Sequence, residues 1–108
     1  KVGHHGSDTS SSDEFLDAVS PDYVLISTEI GNKHEHPIKS VMDKYKERDI
    51  EVYRTDESGT VVATITSNSV TFNTDPDDYL SGIEAEKAMF SQTNGINASI
   101  KIILYTIF

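Results

Sequence analysis

One amphipathic stripe constrains this chain more than any other feature. Ile38, Val41, Met42 and Tyr45 fall at i, i+3, i+4 and i+7, so a helix there presents a single apolar face. The opposite face carries Lys39, Asp43, Lys44, Lys46, Glu47 and Arg48 and reads as solvated surface. Pro37 suits the first position of this helix, because its missing N–H would have no partner there anyway. Upstream, Tyr23–Ser27 is a continuous apolar run between turn signals, as expected of a buried strand. Downstream, Ile50–Tyr53 reads as another strand.

The flanking segments complete a layered order. Ser11 followed by Glu14 has the spacing of a capping box, and Phe15, Leu16 and Val19 then give a helix one apolar face before Pro21 closes it. A turn over Asp56-Glu57-Ser58-Gly59 leads into Thr60–Thr66. Ser67-Asn68 then turns the chain into Val70–Phe72, predicting an antiparallel hairpin. Loop, helix, strand, loop, helix, strand and hairpin make an α/β pattern. After Asn73 the character changes, which separates residues 1–73 from a tail over 74–108. Asp75-Pro76-Asp77-Asp78 reads as a solvated acidic linker, Tyr79–Phe90 as a short helix and Ser91–Ser99 as polar and linker-like. Ile100–Phe108 is apolar and β-prone, suited to a packed strand or a sticky edge.

At 108 residues the chain fits one small domain or a piece of a larger one. Acidic side chains outnumber basic ones 18 to 9, for a formal charge of −9. That balance repels a phosphate backbone, so any nucleic-acid groove would have to be built by residues outside this chain. Without cysteine there is no disulfide framework and no thiolate metal ligand. No apolar run approaches the ~20 residues that span a bilayer. The opening Lys1-Val2-Gly3-His4-His5 reads as the end of a β-strand that begins earlier, so the chain is expected to be part of a longer protein.

All four histidines fall in two loops at strand ends or helix starts, where layered α/β proteins gather functional groups. Neutral imidazole is a good ligand for zinc and other first-row metals. His36 is the sharper candidate, because Pro37 fixes its approach; a purely structural helix cap is the alternative. In His4-His5-Gly6-Ser7, adjacent side chains on an extended segment would point to opposite faces, leaving one imidazole toward any one site. Ser7 could bind an anion or hold the loop. A triad of Ser7, His36 and Asp56 can be drawn, but no nucleophile-elbow pattern surrounds any serine. No glycine-rich phosphate loop is present, and the aspartates at 75, 77 and 78 lack the glycine and closing glutamate of an EF-hand.

Taken together, Lys1-Val2-Gly3-His4-His5-Gly6-Ser7 with Thr9-Ser10-Ser11-Ser12 resembles a stretch of the metallo-β-lactamase-fold domain of ComEC-type competence proteins. Phe15–Val19 with Pro21 is similar to its following helix and Tyr23–Ser27 to its next strand. Asn32 with His36-Pro37 is similar to a late Asn-x-x-x-His-Pro motif. Val52–Asp56 with Gly59-Thr60 resembles the closing strand and hairpin. The resemblance covers residues 1 to 73. It implies the second half of a four-layer αβ/βα sandwich, with a binuclear zinc or manganese site between the two halves of the whole protein. His36 matches the late metal-binding histidine. His4 and His5 match residues lining the same site, as ligand or transition-state donor, and Ser7 accompanies them. The family's early His-x-Asp-x-Asp-His motif and its mid-chain bridging aspartate are absent, so the chain is expected to be inactive by itself. Ile38 and Lys39 also stand where the family often has a second His-Pro.

The resemblance implies a metal-dependent phosphodiesterase or nuclease that degrades DNA during uptake, in a bacterial parent whose domain sits beside a polytopic membrane channel on either face of the membrane. Two alternatives stand beside it: a metallo-hydrolase of a small ester, lactone or phosphoester, and a non-catalytic α/β interaction module. The expected partners are the missing N-terminal half, DNA in the parent, and a second copy docked through an exposed sheet face or the apolar tail.

Overall fold

A computed structural model describes residues 1–95. They form a mixed α/β fold with four helices, a two-stranded parallel sheet and a separate antiparallel hairpin. After a 3-10 turn over Gly3–Gly6 come α1 (Asp13–Val19), β1 (Tyr23–Ile26), α2 (Lys39–Glu47), β2 (Glu51–Arg54), α3 (Thr55–Ser58), β3 (Ala63–Ile65), β4 (Val70–Phe72) and α4 (Gly82–Gly95). β1 and β2 pair in parallel from Tyr23↔Glu51 to Ile26↔Arg54. Parallel neighbours need a long crossover, and α2 with its preceding loop supplies it. Among the described residues no helix is long and apolar enough to cross a membrane.

The alternation along the strands decides what each sheet face meets. Val24, Ile26 and Val52 point to the core side, where Val41, Met42 and Tyr45 of α2 and Leu16 of α1 bury against them. Each such aliphatic side chain contributes roughly 1.5–3 kcal/mol by leaving water. Tyr23 and Tyr53 point to the other face and meet Phe72 of the hairpin, with Tyr53 and Phe72 stacked at 3.6 Å between centroids. The stripe predicted for α2 is therefore the centre of the core, and the predicted hairpin is present.

Several local expectations give way to tertiary contacts. Ser12, not Ser11, caps α1 by accepting from the Phe15 N–H at 3.1 Å. Ser11 is buried, and its hydroxyl is taken by the Tyr45 phenol at 2.8 Å, so no capping box forms with Glu14. Leu16 alone carries the α1 contact with the core, since Phe15 and Val19 remain 56% and 53% exposed. Pro37 is not the first residue of α2. Ile38 stays extended as the N-cap because its N–H donates to the Gly6 carbonyl, and the helix begins at Lys39. The predicted turn at 56–59 is the single helical turn α3.

In the acidic stretch after the hairpin Asp75, Pro76 and Asp78 are exposed, as expected of a solvated segment, but Asp77 is tied into the fold. Asp77 bridges to β2 through its backbone N–H on the Val52 carbonyl at 2.7 Å, and its carboxylate accepts from the Arg54 N–H and the Ser58 hydroxyl. Arg54 itself is fully buried and forms a two-pronged pair with Asp56, both bonds 2.7 Å. Its remaining guanidinium nitrogen donates to the Leu80 carbonyl, with Glu57 and Asp78 at 3.7 and 3.6 Å. The helix predicted over 79–90 starts later, at Gly82, and runs on through Ser91 to Gly95. The expectations for residues 96–108 lie outside the described residues.

Removing one partner of a fully buried ion pair strands the other, which costs about 3–5 kcal/mol. Asp56→Ala is therefore expected to lower the urea midpoint drastically, whereas truncating the half-exposed Asp43 should leave it nearly unchanged. Burial, opposed by Arg54 and reinforced by Asp78 and Asp56, pushes the Glu57 carboxyl from 4.5 up to about 8. The folded state thus holds a proton that the unfolded chain releases. The stability this contributes is full below 4.5 and is lost as pH rises through about 8. Urea unfolding at pH 5 and pH 9 should show Glu57→Gln gaining on the parent chain at the higher pH; a constant difference would contradict the shift.

Candidate functional site

The first histidine loop is held in an uncommon backbone conformation. His4 and His5 lie in the left-handed region at φ 47° and 58°, and Gly6 follows at φ 86°. Left-handed non-glycine residues cost on the order of 1–3 kcal/mol and persist where surrounding contacts impose them. Here the Ser7 N–H returns to the His4 carbonyl at 3.0 Å, and the Gly6 carbonyl accepts from Ile38. A Cβ on Gly6 would meet the Pro37 ring at 2.6 Å, so only glycine permits this approach. The backbone is a turn and not an extended segment, so the expectation of opposed His4 and His5 side chains does not hold. Their rings lie 6.3 Å apart, and His4 is 5.6 Å from His36.

His5 Nδ1 sits 2.6 Å from the Ser27 carbonyl at the end of β1. A carbonyl only accepts, so in the neutral ring Nδ1 carries the proton and Nε2 keeps its lone pair. Ser27 and His5 also line an open cleft of about 650 Å³ together with Thr28, Asn32, His34 and His36. Ser7 is not among its lining residues. It is buried, its hydroxyl shares hydrogen bonds with Thr9 and Asp8, and it organises the loop after the turn.

The second histidine loop depends on Asn32. Its amide nitrogen donates to the His36 carbonyl at 2.7 Å, and its oxygen accepts the His36 N–H at 2.9 Å. Two further bonds reach the Glu29 carbonyl and the Thr28 hydroxyl. Thr28 is fixed in turn by Thr55, whose hydroxyl accepts from its N–H and donates to its carbonyl. The His36 backbone is thereby tied to the ends of both strands. His34 stacks on the His36 ring at 5.4 Å. Burial, followed by the positive charge that His34, His4 and His5 can carry, lowers the His36 pKa below 6.5, with Asp8 opposing.

The structure places the rings of His4, His5 and His36 near one another, stacks His34 on His36, gives Asn32 of the quoted motif the task of holding the His36 backbone, and adds Thr55, which the sequence did not single out. Among the described residues no three His, Asp or Glu groups are placed to hold a metal ion. The donor chemistry still suits a first-row divalent ion, because three imidazoles line one cleft and one of them has its second nitrogen fixed by a carbonyl. Three imidazoles are short of the four ligands zinc takes. NMR titration of the imidazoles is expected to give His36 a midpoint below 6.5, and His34→Gln should move it upward. An unchanged His36 midpoint in that variant would remove the electrostatic coupling.

No family model matches the chain, and no solved structure matches it. Two curated proteins do. Competence protein ComA of Neisseria gonorrhoeae is 47% identical over 58 residues, covering 54% of this chain and 8% of that protein. ComE operon protein 3 of Bacillus subtilis (strain 168) is 39% identical over 61 residues, covering 56% of this chain and 8% of that protein. The chain is therefore similar to a short part of two competence proteins, and spans 8% of the length of each.

Proposed function

We propose that this chain is part of a metal-dependent phosphodiesterase acting on DNA in a competence-type protein, where it supplies the second half of a four-layer αβ/βα metallo-β-lactamase sandwich. The observation that carries this reading is the placement of His5 and His36 in the lining of one cleft. His5 has Nδ1 committed to Ser27 O, and the His36 backbone is locked by Asn32. The similarity to two competence proteins supports DNA uptake as the setting.

In this reading His36 and His5 are ligands to zinc or manganese, and the remaining ligands of a binuclear site come from the other half of the domain. When bound, such ions lower the pKa of a water molecule and polarise the phosphoryl group. The chain's own residues do the positioning. Ser27 fixes the His5 tautomer, Ser7 holds the loop that carries His4, and His4, its ring 5.6 Å from that of His36, is the donor offered to a developing negative charge. The chain alone lacks the ligands to complete the reaction and is inactive.

A second reading, hydrolysis of a small ester, lactone or phosphoester, draws on the formal charge of −9, which disfavours a polyanion. Calorimetry with zinc and manganese on this chain and on the full-length parent tests the metal site, and cleavage of single-stranded DNA against bis(p-nitrophenyl) phosphate separates the substrates. The expected result is tight binding by the parent only, lost with His36→Ala, and DNA cleavage reduced at least ~100-fold by His5→Ala, since losing a ligand costs no less than the ~10–100-fold of losing a group that orients one. A parent that binds no metal, or binds it equally well without His36, refutes the assignment. Cleavage of the small diester but not of DNA selects the second reading.

A further inference from the structure

We propose that α4 is the supporting element of the His36 loop and that Gly82, at its first turn, is a positioning residue for His36. This rests on the reading of His36 as a ligand, and it gives the segment after the hairpin a part in the site. The helix lies against the loop along several residues. At Gly82 a Cβ would collide with the His36 carbonyl oxygen and come within 2.8 Å of the Glu35 carbonyl, so only glycine fits. The Gly82 N–H donates to the Pro37 carbonyl at 2.8 Å. One turn later the Glu86 carboxylate reaches Gly31, where a Cβ would meet it at 3.4 Å. Ile30 of the same loop shares a cavity with Ala85, Ala88 and Gln92 of α4.

The start of the helix is itself well defined. Ser81 is buried, its hydroxyl accepts the Glu84 N–H at 3.2 Å, and the Glu84 carboxylate accepts the Ser81 N–H at 3.4 Å. That reciprocal pair fixes where the first turn begins. The His36 carbonyl is thus held by the Asn32 amide and abutted by Gly82, while the next carbonyl, that of Pro37, accepts from Gly82. A change in the position of α4 therefore moves the His36–Pro37 backbone, and the imidazole moves with it.

The test compares Gly82→Ala with Lys87→Ala, which trims the exposed face of the same helix, keeps a good helix former there and does not touch the loop. Imidazole nitrogen shifts of His36 and exchange of the Asn32 side-chain amide are read by NMR on the whole chain. Zinc affinity is read by calorimetry on the full-length parent. Gly82→Ala is expected to shift the His36 ring signals, speed Asn32 amide exchange and weaken zinc binding about tenfold, the usual scale for groups that orient a ligand. Lys87→Ala should leave those signals in place. If both variants move His36, or neither does, the proposal is overturned. Should Gly82→Ala fail to fold, Asn32→Ala reads the same coupling in reverse, and an unmoved Gly82 amide overturns it. A wild-type parent that binds no zinc would sink the metal reading while the NMR shifts still decide the coupling.

Discussion

The parallel register of β1 on β2 governs what the other residues can do. Because Ile26 faces Arg54, the carboxyl ends of both strands emerge side by side at one edge of the sheet. Everything of chemical interest is anchored there. From β1 come the Ser27 carbonyl that fixes His5 and the Thr28 peptide that leads into the histidine loop. From β2 come Arg54 and Thr55, one seating the charge cluster and the other tying the two strand ends together. Antiparallel pairing would have sent these groups to opposite edges. The helix α2 makes the parallel arrangement possible, and its buried stripe is therefore a precondition for the site as well as the core.

That stripe was legible in the sequence because it depends on local periodicity alone. So were the two apolar runs and the hairpin, each a short-range pattern bounded by turn residues. The failures involve partners distant in sequence. Ser11 and Glu14 have capping-box spacing, yet Tyr45, 34 residues on, claims the Ser11 hydroxyl. Ser81 and Glu84 have the same spacing and do form the reciprocal pair. Spacing could not rank one above the other; burial of the competing partner did. Asp77 and Asp78 gave no local sign that Arg54 lies buried beside them, whereas Asp75 is exposed as the sequence suggested. At the site, the sequence identified the histidines as a group. It could not anticipate that His4 and His5 adopt left-handed backbone, since that follows from contacts with Pro37 and Ile38.

Two costs are concentrated at this edge of the sheet. The histidine turn stores backbone strain in two consecutive non-glycine residues, and the arginine cluster keeps a guanidinium out of water among several carboxylates. Neither arrangement is what stability alone would select, since well-packed apolar residues often replace a buried ion pair without loss. Local violations of this kind gather where function imposes geometry. The two are physically joined here, because the segment from Asp77 to Gly82 runs from the arginine cluster to the His36 carbonyl. The charge cluster therefore stabilises the very segment that presses on the site.

Electrostatics then separates the roles of the chain. Arg54 is locked to Asp56, Arg48 to Asp13 and Asp17, and Lys39 to Asp43 and Glu84. With acidic groups in excess, these cations neutralise neighbours and project little field toward a phosphate backbone. The cleft is lined by the imidazoles of His5, His34 and His36 beside Lys33 and Glu29, and burial together with the neighbouring imidazoles lowers the His36 pKa below 6.5. A neutral nitrogen donor is what a divalent ion needs, whereas attraction of a polyanion needs fixed positive charge. The proposed ligation therefore rests on these imidazoles, while the chain's formal charge of −9 gives it little overall attraction for a polyanion.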